Sequence, residues 1–160
     1  VREAVFSSVF SLIGDLEGLA VIDLYAGSGA LGIEALSRGA AHVTFVERDR
    51  RALSTVRANL ASMDVEQHRW RLVPTDASRL ATAPPGAPVA LLFADPPYTI
   101  EPAEEWQVLE ALGSSGWLRP GCIVVYEHRA DATAPPSPGF VLISQKRYGD
   151  TGVTFARYGG

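Results

Sequence analysis

Asp95-Pro96-Pro97-Tyr98 is the stretch whose residue types point most directly to a reaction. An exocyclic amine on a nucleobase is a poor nucleophile, because its lone pair is delocalised into the ring. Acceptors placed on its two N–H groups can turn the amine so that the lone pair faces an electrophile. The Asp95 carboxylate supplies one such acceptor. The Pro96 carbonyl supplies the other, held still because Pro97 restricts the residue before it. Tyr98 offers a flat face for the base. Stacking there returns about 1–3 kcal/mol, against a few kcal/mol for drawing a base out of its stack. These four residues suit in-line transfer of a methyl group to an amine. A proline-stiffened turn capped by an aspartate is the plainer reading of the same four.

The run Asp23-Leu24-Tyr25-Ala26-Gly27-Ser28-Gly29-Ala30-Leu31-Gly32 carries a second signal. Its glycines fit GxGxxG between a strand and a helix, where absent side chains let the backbone turn tightly and approach a ligand. Nicotinamide and flavin dinucleotides fit that pattern as well as S-adenosylmethionine does. Charge separates them. A dinucleotide brings a doubly negative pyrophosphate to the helix N-terminus, whereas S-adenosylmethionine carries a sulfonium and an ammonium. Asp23, Glu47, Asp76, Asp95 and Glu127 each stand at or just past the end of a successive strand, on the rim where open α/β sheets bind ligands. Acids there repel a pyrophosphate and attract a cation. The candidate cofactor contacts are therefore Asp23, Ala26, Gly27, Ser28, Gly29, Glu47, Asp76 and Ala77. Glu47 is placed to accept both ribose hydroxyls, Asp76 to accept from the adenine amino group, and the Ala77 amide to donate to the ring. No metal is expected.

Alternating strand and helix patterns position these groups. Val1 to Ile13 has an apolar face at helical spacing and Gly14 ends it. Strands are expected at Leu19–Tyr25, His42–Val46, Trp70–Val73, Val89–Ala94, Cys122–Tyr126, Phe140–Ser144 and Val153–Arg157. Helices are expected at Ala30–Ser37, from an Asp49 cap to about Ser62, and from Pro102 through Trp106, Leu109 and Leu112. Ala81–Pro88 and Ala134–Gly139 read as loops rich in proline. The pattern makes a mostly parallel sheet with helices on both faces. The last two strands are joined by a turn at Gly149-Asp150 and must pair antiparallel at one edge.

Length and composition bound the answer. With 160 residues the chain is one domain, expected to span 1–160. Hydrophobic residues make up 47% and charged residues 20%, an ordinary globular balance. Net charge is −4, which argues against strong non-specific binding to a polyanion. Lys146 is the only lysine among the basic residues, so the remainder are arginines, either a compositional bias or a choice for phosphate contacts. A single cysteine, Cys122, forms no internal disulfide and fits a cytoplasmic setting. There is no bilayer-spanning run and no charged-then-apolar leader, so no membrane association is expected.

Taken together, Val1-Arg2-Glu3-Ala4-Val5-Phe6, the Asp23–Gly32 run, Glu34-Ala35-Leu36-Ser37-Arg38-Gly39-Ala40, Asp95–Tyr98 and Lys146-Arg147-Tyr148-Gly149-Asp150-Thr151 resemble the RsmD family. These are bacterial 16S ribosomal RNA (guanine-N2)-methyltransferases. The resemblance covers essentially the whole chain. It implies a Rossmann-like class I methyltransferase fold with a seven-strand sheet and an antiparallel last strand. It implies S-adenosylmethionine as donor, S-adenosylhomocysteine as product, and guanine N2 of the small-subunit RNA as acceptor, within the subunit or an assembly intermediate. A monomer is expected. Gly27, Gly29, Glu47 and Asp76 match the family's cofactor positions, and Asp95 to Tyr98 match its amino-methylation motif. Family members carry a basic segment ahead of the helix that begins here at Val1. The expectation is that residues 1–160 lack it, leaving Arg2, Arg38, Arg129, Lys146 and Arg147 as candidate RNA contacts, with ordinary solvated surface the plainer reading of any one of them. The same motif pair occurs in methyltransferases for adenine N6 in DNA and for glutamine in proteins. The DNA enzymes would need a target-recognition segment for which the chain has no room. A nicotinamide-dependent oxidoreductase would need a second domain and gives Asp95–Tyr98 no task. A cofactor-binding relative without activity is the remaining rival.

Overall fold

Seven strands form one sheet, and the register of each is set by which face its alternate residues must bury. The computed structural model describes residues 1–159. Helix α1 (Arg2–Ile13) opens the chain and buries Val5, Phe6 and Val9; Gly14, at φ +77°, ends it. Strand β1 (Ala20–Leu24) follows, then α2 (Ala30–Ser37), β2 (His42–Val46) and α3 (Arg50–Ser62). The Asp49 carboxylate accepts from the Arg51 N–H at 3.0 Å and so caps α3. Strand β3 (Trp70–Val73), a 3-10 turn at Ala77–Thr82 and β4 (Val89–Ala94) come next. Helix α4 (Pro102–Ser114) starts on Pro102, whose missing N–H would have lacked a helical partner in any case. The chain closes with β5 (Leu118–Arg129), β6 (Phe140–Tyr148) and β7 (Thr151–Tyr158).

Strand order is β3-β2-β1-β4-β5-β7-β6. β1 to β5 run parallel, and β7 is antiparallel to both its neighbours. The order reverses between β1 and β4, which opens a crevice at their carboxyl ends. Along β1, Val21 faces the core layer under α1, α2 and α3, while Ile22 and Leu24 face the layer under α4. Two apolar layers thus clamp the sheet and fix the height of the loops at its carboxyl rim.

Three elements differ most from the sequence expectation, while β7 runs Thr151–Tyr158, a little longer at each end than expected. β5 begins at Leu118 and not at Cys122, because Arg119-Pro120-Gly121 looks like a turn but is carried within the strand, with Gly121 at φ +87° and a register shift opposite Val89–Leu91. β6 continues to Tyr148 through Gln145, Lys146 and Arg147, polar residues that pair along β7 while their outer face is solvated. Leu80 is buried within the 3-10 turn, so the stretch expected to be a loop from Ala81 is ordered at its start.

Candidate active site

A cleft of about 640 Å³ lies over the carboxyl ends of β1, β2, β3 and β4, and Gly27, Glu47, Asp76, Ala77, Asp95 and Pro97 are among its walls. That size suits a drug-sized ligand. Four of its lining residues are acids, Glu47, Asp49, Asp76 and Asp95, and Arg48 is its single cation.

Each acid is held differently. Glu47 follows β2 and reaches across to the glycine loop. Its Oε1 accepts from the Gly27 N–H at 2.9 Å and its Oε2 from the Asp49 N–H at 2.9 Å. Asp76 caps the 3-10 turn, accepting from the Ser78 N–H at 3.0 Å and the Ser78 hydroxyl at 2.9 Å. Those bonds to Ser78, with Arg48 at 3.3 Å, hold its carboxyl below the usual aspartate range, so it stays ionised. Asp95 is open to the cleft mouth, yet the surrounding walls strip enough water from it to push its pKa up.

Asp23 takes a different place from the one expected of a ligand contact. It is 3% exposed and does not line the cleft. Its Oδ2 accepts from the Gly32 N–H at 2.9 Å. α2 has Gly29 at its N-cap and so no capping side chain of its own; Asp23 supplies that acceptor from the neighbouring strand. Burial, and then the charges of Asp95, Glu47 and Glu127, push its pKa up to about 8. Ala26, Ser28 and Gly29 are likewise not among the residues that line the cleft, and Ser28 borders a separate hollow. Gly27 and Gly29 sit at φ +57° and +82°, which a side chain would resist.

The Asp95–Tyr98 turn separates the cleft from a second hollow of about 80 Å³, whose walls include Pro96, Tyr98, Tyr126 and His128. Pro97 and Ile100 belong to both. The Pro97 carbonyl accepts from the Ile100 N–H at 3.0 Å and closes the turn. The Pro96 carbonyl takes no hydrogen bond among the described residues. Tyr98 is 64% exposed, with the Arg129 guanidinium 6.0 Å over its ring. Arg129 and Arg147 border a third hollow that also touches Tyr98. Glu127 lies within β5, two residues before its end and not at the strand end that the sequence suggested, and it does not line the cleft; burial and the Asp95 charge raise its pKa.

Sequence reasoning passed over Tyr25, Thr75 and Ile100, which also line the cleft. Tyr25 lies inside the glycine run, but nothing in its spacing marks it as more than a strand end. Thr75 and Ile100 each stand next to a motif residue or just beyond a motif, which is the available hint. Among the described residues, no group of three or more His, Cys, Asp or Glu side chains is gathered to hold a metal ion.

Residues 1–157 match the family described as "Conserved hypothetical protein 95". The chain is 34% identical over 169 residues to the Bacillus subtilis protein YlbH, covering 99% of this chain and 86% of that one. It is 29% identical over 150 residues to the ribosomal RNA small subunit methyltransferase D of Haemophilus influenzae, covering 93% and 75%. The crystal structure of the Haemophilus influenzae protein HI0767 superposes with a TM-score of 0.87 at 25% identity, covering 99% of both chains.

Proposed function

Because this chain belongs to that family, the RsmD-type methyltransferases, we propose that it transfers a methyl group from S-adenosylmethionine to the exocyclic N2 amine of a guanine in small-subunit ribosomal RNA. The observation that carries the reading is the shared wall: one turn, Asp95–Tyr98, borders the acid-lined cleft on one side and the hollow beside Tyr98 on the other. A donor and an acceptor occupying the two would meet at that turn.

S-adenosylmethionine supplies an electrophilic methyl carbon on a sulfonium. Glu47 would hold the ribose and Asp76 the adenine amino group, while the Gly27 backbone, free of a side chain, would let the ligand close on the loop. The rim acids favour the donor's positive charge. On the acceptor side, Asp95 and the Pro96 carbonyl each accept one N–H of the guanine amine and turn its lone pair toward the methyl. With the donor bound, attack by the amine would form a C–N bond as the sulfonium leaves, and the amine's surplus proton would pass to water at the open mouth beside Asp95. Placing the partners in this way can account for up to about 7–11 kcal/mol of the barrier. Tyr98 stacks on the base, and Arg129 beside it offers a guanidinium for a backbone phosphate.

Radiolabelled donor and the purified protein, incubated with small ribosomal subunits from a strain lacking the gene, test the reading. Label on a guanine N2 of the small-subunit RNA is the expected result. Label on an adenine, or on protein, transfers the assignment to the alternative acceptor. No label with subunits or naked RNA, despite measurable donor binding, defeats the catalytic reading.

A further inference from the structure

Glu105 is a charged residue type with 0% exposure, four positions into α4 and outside every wall of the cleft. Its Oε1 accepts from the Tyr25 hydroxyl, and its Oε2 has no partner. Tyr25 follows directly on β1, lines the cleft, and holds φ +61°, a left-handed conformation that residues with side chains rarely adopt. The next residue, Ala26, donates to the Val46 carbonyl at 2.9 Å, and Gly27 then donates to Glu47. The strained residue is therefore the hinge from which the whole glycine loop departs. The phenol end of that hinge is anchored to a helix 80 positions away in the chain.

We propose that Glu105 is a positioning residue: acting through the Tyr25 ring, it holds the glycine loop in the conformation that receives the donor. This rests on the reading of the cleft as the S-adenosylmethionine site. The Tyr25 hydroxyl and Glu105 Oε1 satisfy each other, and the burial that hides Glu105 removes water as a substitute, while Oε2 stays without a partner. Removing one partner leaves the other stranded, whereas removing both leaves an apolar contact. The anchor also joins donor and acceptor sides, because α4 is the helix that follows the Asp95–Tyr98 turn.

Calorimetric titration of S-adenosylmethionine into the wild type, Tyr25→Phe, Glu105→Leu, Glu105→Gln and the Tyr25→Phe/Glu105→Leu double variant tests this, with amide exchange read over residues 25–29. Tyr25→Phe and Glu105→Leu should each weaken donor binding about tenfold and speed exchange of the loop, while strands β4 and β5 stay protected. Glu105→Gln keeps an acceptor for the phenol and should recover most of the affinity. The double variant should bind no worse than the weaker single variant, because the two changes act on one bond. In turnover, KM for the donor should rise with kcat at saturating donor within about twofold. Losses that multiply in the double variant, or Tyr25→Phe and Glu105→Leu binding as tightly as the wild type, overturn the inference. A wild type that fails to bind the donor overturns the reading of the cleft instead, so the two failures are distinct.

Discussion

At the residue scale, the chemistry assigned to position 95 is acceptance of a hydrogen bond, and charge is secondary. Asp95→Asn keeps a carbonyl oxygen at the same reach, so methyl transfer should fall by no more than about tenfold. Asp95→Ala removes the acceptor and lets the amine rotate, which should cost about a hundredfold or more in kcat. Single-turnover assays with saturating donor separate the two; equal losses would show that Asp95 works as a base. In the proposed reading Glu47 belongs to the donor side. It binds two backbone N–H groups at 2.9 Å each, from Gly27 and Asp49. Glu47→Ala therefore frees the loop as well as removing a ligand contact, and should raise the donor dissociation constant at least tenfold. Calorimetry that finds no change would remove Glu47 from the site.

At the scale of elements, the glycines of the loop do unlike work. Gly27 has open space around the position a Cβ would take, so Gly27→Ala meets only the resistance of φ +57°, about 1 kcal/mol. Gly32 has ordinary backbone angles, but a Cβ there would come within 2.9 Å of Phe45 Cζ and Val43 Cγ1 on β2. Gly32→Ala must push α2 off the sheet and should cost about 1–3 kcal/mol. Chemical denaturation should therefore rank Gly32→Ala as the less stable, and the reverse order would refute the packing argument. This division is only half visible in the sequence. GxGxxG announces a strand–loop–helix unit, and the α2, β2 and β4 limits follow from apolar runs and stop signals alone. The pattern cannot say which glycine is crowded, because the crowding comes from β2, which lies ten residues on in the chain. For the same reason Asp23 reads as a ligand acid in the sequence, although its carboxylate caps α2. Nothing in the sequence singles out Glu105, although it is fully buried and bonded to Tyr25. The strand ends at Leu118 and Tyr148 were hidden where turn-type or polar residues are held in a ladder by a neighbour.

Across the whole molecule, the rim acids set opposing demands on pH. Asp23, faced by Asp95, Glu47 and Glu127, and Glu105, faced by Tyr25 and with Tyr126 and Glu101 nearby, are both raised to about 8 by burial. Unfolded carboxyls titrate near 4. Between those limits the folded chain binds more protons than the unfolded one, so the stability these two groups give is complete below about pH 4 and is lost as pH climbs toward about 8. Asp76, held low by Ser78, acts in the other sense, and its contribution is lost only in acid. The unliganded protein should melt about 5 °C lower at pH 8 than at pH 5.5, and Glu105→Gln should flatten that slope. A cationic donor reverses the demand. Positive charge placed on the rim favours the ionised form of Asp95 and Glu127, whose pKa values lie above the ordinary range. Binding must then release protons, and affinity must rise with pH. S-adenosylhomocysteine keeps the ammonium but lacks the sulfonium, so its affinity should rise less steeply. The preference for donor over product should therefore widen as pH rises through the range in which these carboxyls ionise. Titrations of both ligands in buffers of different ionisation heat measure the protons released. Equal proton release for the two would mean that the acids of the rim face the amino acid end of the ligand and leave the sulfur to other groups.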